Sequence, residues 1–186
     1  SETHWHSTQQ NGRCSTVGLN EVVDALKRTE QLLEDGETGP AQDSLSWQRA
    51  DDDADIQLGK ACAMLGTCRQ LRQGTNNYVS IVELSFNAIE RSFQFYLVEM
   101  TAAESTDYRK HEEVFDDIAA RNVFSDEDIA SRIEAFRSEH RSRFYYDLDR
   151  PGRDFALAMH DLAEEIHQYL VEFADAHSRC NCDKQV

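Results

Sequence analysis

Lysine is scarce in this chain of 186 residues: four (27, 60, 110 and 184) stand against fifteen arginines, while aspartate and glutamate number 35. The formal charge is −16 and the pI is near 4.7. Such a chain does not coat nucleic acid as a basic protein does, and an anionic membrane surface is not its main partner. No stretch approaches the roughly 20 apolar residues of a membrane span. The opening SETHWHSTQQNGRCSTVG has no apolar core, so no secretory signal is expected. The cytoplasm is the expected compartment. Also missing are a glycine-rich phosphate loop, a Gly-x-Ser-x-Gly elbow and a His-Glu-x-x-His pair, which leaves NTPase and common hydrolase readings without an anchor.

Carboxylates spread along the whole chain, with lysine largely removed, suit a cytoplasm at molar salt. Salt there screens self-repulsion, and carboxylates hold water and hydrated cations. A salt-loving source is expected, in which case the acidity reports the solvent and local charge is the better guide to function. The five cysteines (14, 62, 68, 180 and 182) are odd in number and follow no regular framework. In a cytoplasmic chain they read as reduced thiols. Cys62 and Cys68, six apart on a predicted helix, lie about 120° apart around its axis and do not face one another.

No segment alternates convincingly with period two, and the expected fold class is all-α. A first helix is predicted over 19–34, ending at Asp35-Gly36 with Gly39-Pro40 beyond. An acidic linker to residue 54 completes an N-terminal extension, 1–54. A bundle over 55–176 follows, with helices at about 55–73, 76–101, 107–121, 126–149 and 152–176, and then a flexible tail, 177–186. Gly74, the Ser125-Asp126-Glu127-Asp128 cap and Pro151-Gly152 mark the joints. In 76–101, Tyr78, Val82, Phe86, Ile89, Phe93, Tyr96 and Met100 recur at spacings of four and three. Ile81, Leu84, Ala88 and Phe95 fill a second face, as in the central helix of a bundle. In 152–176 the stripe is narrower, with Phe155, Met159, Leu162, Ile166, Tyr169 and Phe173, and suits an outer helix or a dimer seam.

Arginine density is the strongest local anomaly. Arg132, Arg137, Arg141, Arg143, Arg150 and Arg153 fall within 22 residues and make that segment locally +2, while 104–128 carries −6. Guanidinium groups suit planar, bidentate contact with phosphate. Interleaved with His140, Phe144, Tyr145 and Tyr146, they are placed to hold a phosphate backbone and stack a base. The alternative is a helix laced with ion pairs such as Arg137–Glu134.

The long apolar helix with SFNAIERSFQFYLV, the short helix with His111, and IEAFRSEHRSRFYYDLDRP closing the next helix together resemble a HEPN domain. Such domains are bundles of four or five helices in prokaryotic toxin–antitoxin, defence and RNA-processing systems. The resemblance covers about 55–176. Ribonuclease members carry an arginine, often a polar residue after it, and a histidine beyond a gap of four to six residues. Arg141-Ser142-Arg143-Phe144-Tyr145-Tyr146 keeps the arginine and the gap, with Tyr146 in the histidine position. The resemblance implies that Arg141 binds the scissile phosphate and that the RNA's own 2′-hydroxyl attacks without a metal, at a site shared across a homodimer. Tyrosine, with a reference pKa of about 10, is a poor base at neutral pH. Tyr146 is therefore expected to donate a proton or a hydrogen bond, with His140 as a substitute base. Arg137, Arg143, Tyr145 and Glu90 complete the expected RNA or phosphate site. Glu90 is where the family often places a charged residue, although a plain polar stripe with Glu83, Asn87 and Gln94 reads equally well.

Two further readings stand beside this RNA-directed one. The first is a catalytically silent HEPN module that binds a nucleotide or a partner protein, such as an antitoxin or a nucleotidyltransferase. The second is a helical interaction protein whose Arg137 and Arg141 are engaged by acids of their own chain. No cofactor or metal is expected. His160, Glu164 and His167 share a helical face, but off the apolar stripe, so both histidines are expected at the surface. Cys180-x-Cys182 reads as a frayed end rather than a zinc knuckle.

Overall fold

The computed structural model describes Lys27, residues 52–101, 103–108, 110–124, 129–140 and 150–182. The predicted helix over 19–34 lies outside the described residues apart from Lys27, and so do Arg141, Arg143, Tyr145 and Tyr146. The chain divides into two units, 1–40 and 41–186, and all that follows concerns the second.

Among the described residues of that unit every regular element is helical. They are α1 (Asp53–Gly74), α2 (Tyr78–Met100), a 3-10 turn at Ser105–Asp107, α3 (His111–Ala120), α4 (Ile129–His140) and α5 (Arg153–Phe173). The fold is all-α, as the absence of period-two alternation predicts, and no described helix is long and apolar enough to cross a membrane. The acidic run thought to be linker already starts a helix. Asp52 is the N-cap of α1, its Oδ1 accepting from the Ala54 amide at 2.8 Å. Unpaired amides at a helix start favour a carboxylate there, and Asp53 and Asp55 in the first turn add to the effect. Asn77 caps α2 in the same way, through the Ser80 amide.

The central position of α2 follows from its two apolar faces. Ile81, Val82, Ala88, Ile89, Phe93, Phe95 and Leu97 are all fully buried. The helix packs along α1 on one side and α5 on another, and α3 covers a third part of it. Phe93 meets Phe115 of α3 edge-on, ring centroids 5.2 Å apart. Truncating such a side chain to alanine typically costs about 3–5 kcal/mol. Helix α1 contributes Ala54, Leu58, Ala61, Cys62, Leu65 and Cys68 at spacings of three and four.

Helix α5 buries Met159 and Ile166 of its predicted stripe but leaves the stripe's aromatic members exposed. Phe155, Tyr169 and Phe173 are substantially exposed, whereas Ala156, Met159, His160, Ala163, Ile166, His167, Leu170 and Val171 are buried. Small residues allow the close approach that α1 and α2 require, and the bulky aromatics are left at the rim. Beyond α5 the chain reverses. Asp175 takes a left-handed conformation (φ 52°), the Ala176 amide reaches back to the Val171 carbonyl at 2.8 Å, and Ala176 is fully buried. This helix-ending motif carries residues 177–182 back over α1. There Arg179 pairs with Asp55 and Glu99, each at 2.7 Å. Residues 177–182, expected in a flexible tail, are thus held against the bundle by named contacts.

Candidate functional site

Two clusters of titratable side chains flank α2. The first gathers the described members of the predicted RNA site. Helix α4 buries Ala130, Ile133, Arg137 and His140, one stripe that begins apolar and ends in two cationic side-chain types. Arg137, 7% exposed, lies 3.9 Å from Glu90 of α2 and 3.7 Å from Glu134. Glu90, itself only 3% exposed, also binds His111 Nδ1 of α3 at 2.5 Å. His140 bonds Glu83 through Nε2 at 2.8 Å, and its ring sits near Phe86 and Phe155. The structure therefore brings Arg137 and Glu90 together. It engages Arg137 with acids of its own chain and packs His140 against α2, so neither side chain stands open to a ligand. Gln94, from the same polar row, is also buried and accepts from Arg91.

His111 is the member of this cluster that reaches solvent, its side chain 47% exposed. Its Nδ1 is committed to the buried Glu90 carboxylate. Sequence reading noted His111 only as a landmark of the short helix. Its partner Glu90 lies 21 positions away, a separation that no local spacing rule covers.

Along α5 and the segment after it, two expectations are corrected. His160 and His167 are not at the surface but 0% and 3% exposed. Cys180-x-Cys182 is not a frayed end, since Cys182 is buried and its Sγ lies 3.0 Å from Cys62 Sγ of α1. Helix α5 packs the face that carries His160 and His167 against the bundle, and the reversal at Asp175 brings Cys180 and Cys182 back to Cys62.

Around His167 Nε2 stand three sulfurs: Cys62 at 3.5 Å, Cys180 at 3.4 Å and Cys182 at 3.2 Å. The four ligand-type atoms all lie within 4.8 Å of one another. Ser92 of α2 sets the histidine tautomer. Its hydroxyl proton goes to the Ala88 carbonyl at 2.8 Å, so Oγ accepts from His167 Nδ1–H at 2.9 Å. That assignment leaves Nε2 unprotonated, with its lone pair toward the sulfurs. Arg69 clamps the returning segment, donating to the Cys182 carbonyl and the Glu164 carboxylate, each at 2.6 Å.

Thiols this close compete for protons. Hydrogen bonds from Cys182 and Cys62 push the Cys180 thiol strongly down. Cys62 is pushed up to about 12, chiefly by its hydrogen bond with Cys180, and Cys182 is raised as well. Cys68, the other buried thiol of α1, lies apart beside Ser85 and is raised by burial. The four described cysteines are free of disulfides.

His160, Asp161 and Glu164 form another cluster with metal-type donors. Arginines already occupy it. Arg72 donates to His160 Nδ1 at 2.7 Å and to Asp161 at 2.6 Å, while Arg69 holds Glu164. Burial lowers the His160 pKa, in keeping with a neutral ring that accepts from a guanidinium.

No curated protein and no solved structure matches the chain. A family model matches residues 17–182, a span that includes both clusters. The chain belongs to the family described as Domain of unknown function (DUF8154).

Proposed function

We propose that this protein acts on RNA as a HEPN-like ribonuclease, with His111 supplying the proton transfer that Tyr146 serves poorly. The observation that carries the reading is the Glu90–His111 pair, a buried carboxylate holding a half-exposed imidazole at 2.5 Å beside Arg137. A carboxylate in that position holds and orients the ring. The reaction needs a base to take the proton of a 2′-hydroxyl, whose oxygen then attacks the neighbouring phosphorus. It also needs a cation against the developing phosphate charge, and an acid for the departing 5′-oxygen. His111 is the base, Arg141 the phosphate contact and Tyr146 the acid. Glu90, Arg137 and His140 position the end of α4, from which the arginine motif continues in sequence.

One observation favours a second reading, the helical interaction protein with no nucleic-acid role. Arg137 is fully engaged by Glu90 and Glu134, while Phe136 beside it is exposed. The test for both is RNA cleavage by the purified chain in molar potassium chloride without added metal, comparing wild type with Arg141→Ala, His111→Ala and Tyr146→Phe. Cleavage lost in the first two supports the ribonuclease. A folded, dimeric and inactive wild type rejects it and leaves the two non-catalytic readings, the binding module and the interaction protein.

A further inference from the structure

We propose that Cys62, His167, Cys180 and Cys182 form a closed structural zinc site that fastens the C-terminal segment to α1 and α5. Three thiolates and one imidazole are a common ligand set for structural zinc, and four protein ligands leave no position for a substrate. With metal–sulfur bonds of about 2.3 Å and a metal–nitrogen bond of about 2.0 Å, a tetrahedral ion sets sulfur–sulfur edges of about 3.8 Å and sulfur–nitrogen edges of about 3.5 Å. The three nitrogen–sulfur distances here are 3.5, 3.4 and 3.2 Å. Cys62 to Cys180 is 3.6 Å and Cys62 to Cys182 is 3.0 Å. The donor atoms thus already surround a point, and a small expansion of the Cys62–Cys182 edge admits the ion.

Three further features meet what such a site requires. Ser92 fixes the tautomer with Nε2 free, as an outer partner of a ligating histidine does. Three thiolates around a divalent ion leave one net negative charge, and the Arg69 guanidinium lies against the Cys182 carbonyl beside it. A cleft lined by Arg69, Glu164, Gln168 and His177 opens onto Cys180 and Cys182, which gives the ion a path in. Zinc binding displaces the thiol protons and leaves three thiolates on one cation.

The competing occupant of the same atoms is a disulfide between Cys62 and Cys182, and one set of measurements separates the two. The full chain, purified under reducing conditions, is weighed by native mass spectrometry, its metal content measured and its thiols counted after unfolding. One zinc per chain with all cysteines reduced is expected, and a strong chelator should lower the melting temperature until zinc is restored. Cobalt should replace the zinc and give the thiolate charge-transfer and tetrahedral ligand-field bands, a readout on wild type that needs no folded variant. Cys68→Ser should keep the metal, Cys180→Ser should lose it, and Ser92→Ala should weaken binding about 10- to 100-fold, since Ser92 acts through His167. A folded protein that binds neither zinc nor cobalt, or one with Cys62 and Cys182 oxidised to each other, overturns the proposal.

Discussion

The two clusters flanking α2 are built from similar materials and end in opposite states. Glu90 and Ser92 are two residues apart on α2, about 200° around its axis, so each serves a different side of the helix. On the Glu90 side, acids and bases are matched: Arg137 and His111 meet Glu90, and Glu134 meets Arg137. On the Ser92 side, three sulfurs and the Nε2 of His167 face one another within 4.8 Å. The first arrangement balances its charges with the chain's own groups. The second gathers four metal-type ligand atoms around one point, the arrangement from which the zinc site is proposed. Burial of titratable groups therefore does not mark function by itself; the balance of donors and acceptors within the buried set does.

The largest effect should come from emptying the zinc site. At free zinc a thousandfold above the dissociation constant, binding contributes about 4 kcal/mol of stability. Hydrogen exchange should show residues 174–182 losing protection when zinc is removed, while α3 and α4 keep theirs. Equal loss across both regions would erase the distinction between a self-sufficient cluster and a metal-dependent one. Next in size is Glu90→Ala, which strands a buried guanidinium and should cost about 3 kcal/mol in denaturant unfolding. A Glu90→Leu, Arg137→Met double variant should recover most of that loss, because a matched pair removed together leaves no orphan charge. Failure to recover would mean that Glu90 matters mainly through His111.

The difference between the regions also explains what the sequence discloses. The spacing of apolar residues in α2 locates the central helix, since its two faces are both plainly apolar. In α5 the same reasoning selects the aromatic stripe, but the helix packs through Ala156, Ala163 and Leu170, with His160 and His167 beside them. Close approach selects small residues, and these carry little weight in a hydrophobic pattern. The Cys/His cluster spans 120 positions from Cys62 to Cys182, and one left-handed residue, Asp175, decides that it closes. Aspartate there gives no signal stronger than any surface acid. Arg137–Glu134 was readable as a helical pair three apart, whereas Glu90–His111 was not, because it depends on how α3 lies across α2.

A smaller effect is expected from pH at His160. Burial lowers its pKa from the ordinary 6.5, so below that value the unfolded chain takes up a proton that the folded chain resists. Stability should therefore fall as pH drops below 6.5 and level off once the folded ring also protonates. Thermal melts across that range should show a flatter profile for His160→Gln, since an amide oxygen still accepts from Arg72 and does not titrate. An unchanged profile would place the acid sensitivity elsewhere.

The smallest stability change, and the sharpest functional one, belongs to His111. Its pair with Glu90 is half exposed at the imidazole, so His111→Gln should shift stability by less than about 1 kcal/mol. Glutamine can still donate a hydrogen bond to the Glu90 carboxylate but cannot carry a proton to or from a substrate. If His111 is the base of an RNA-cleaving site, cleavage should fall about 10²- to 10⁴-fold with the fold intact. If His111 only neutralises Glu90, His111→Gln should cleave RNA like the wild type, and the imidazole would join Arg137 as a structural counter-charge. The balanced cluster would then hold no chemistry of its own, and the arginine motif beyond His140 would have to supply both the cation and the proton transfer.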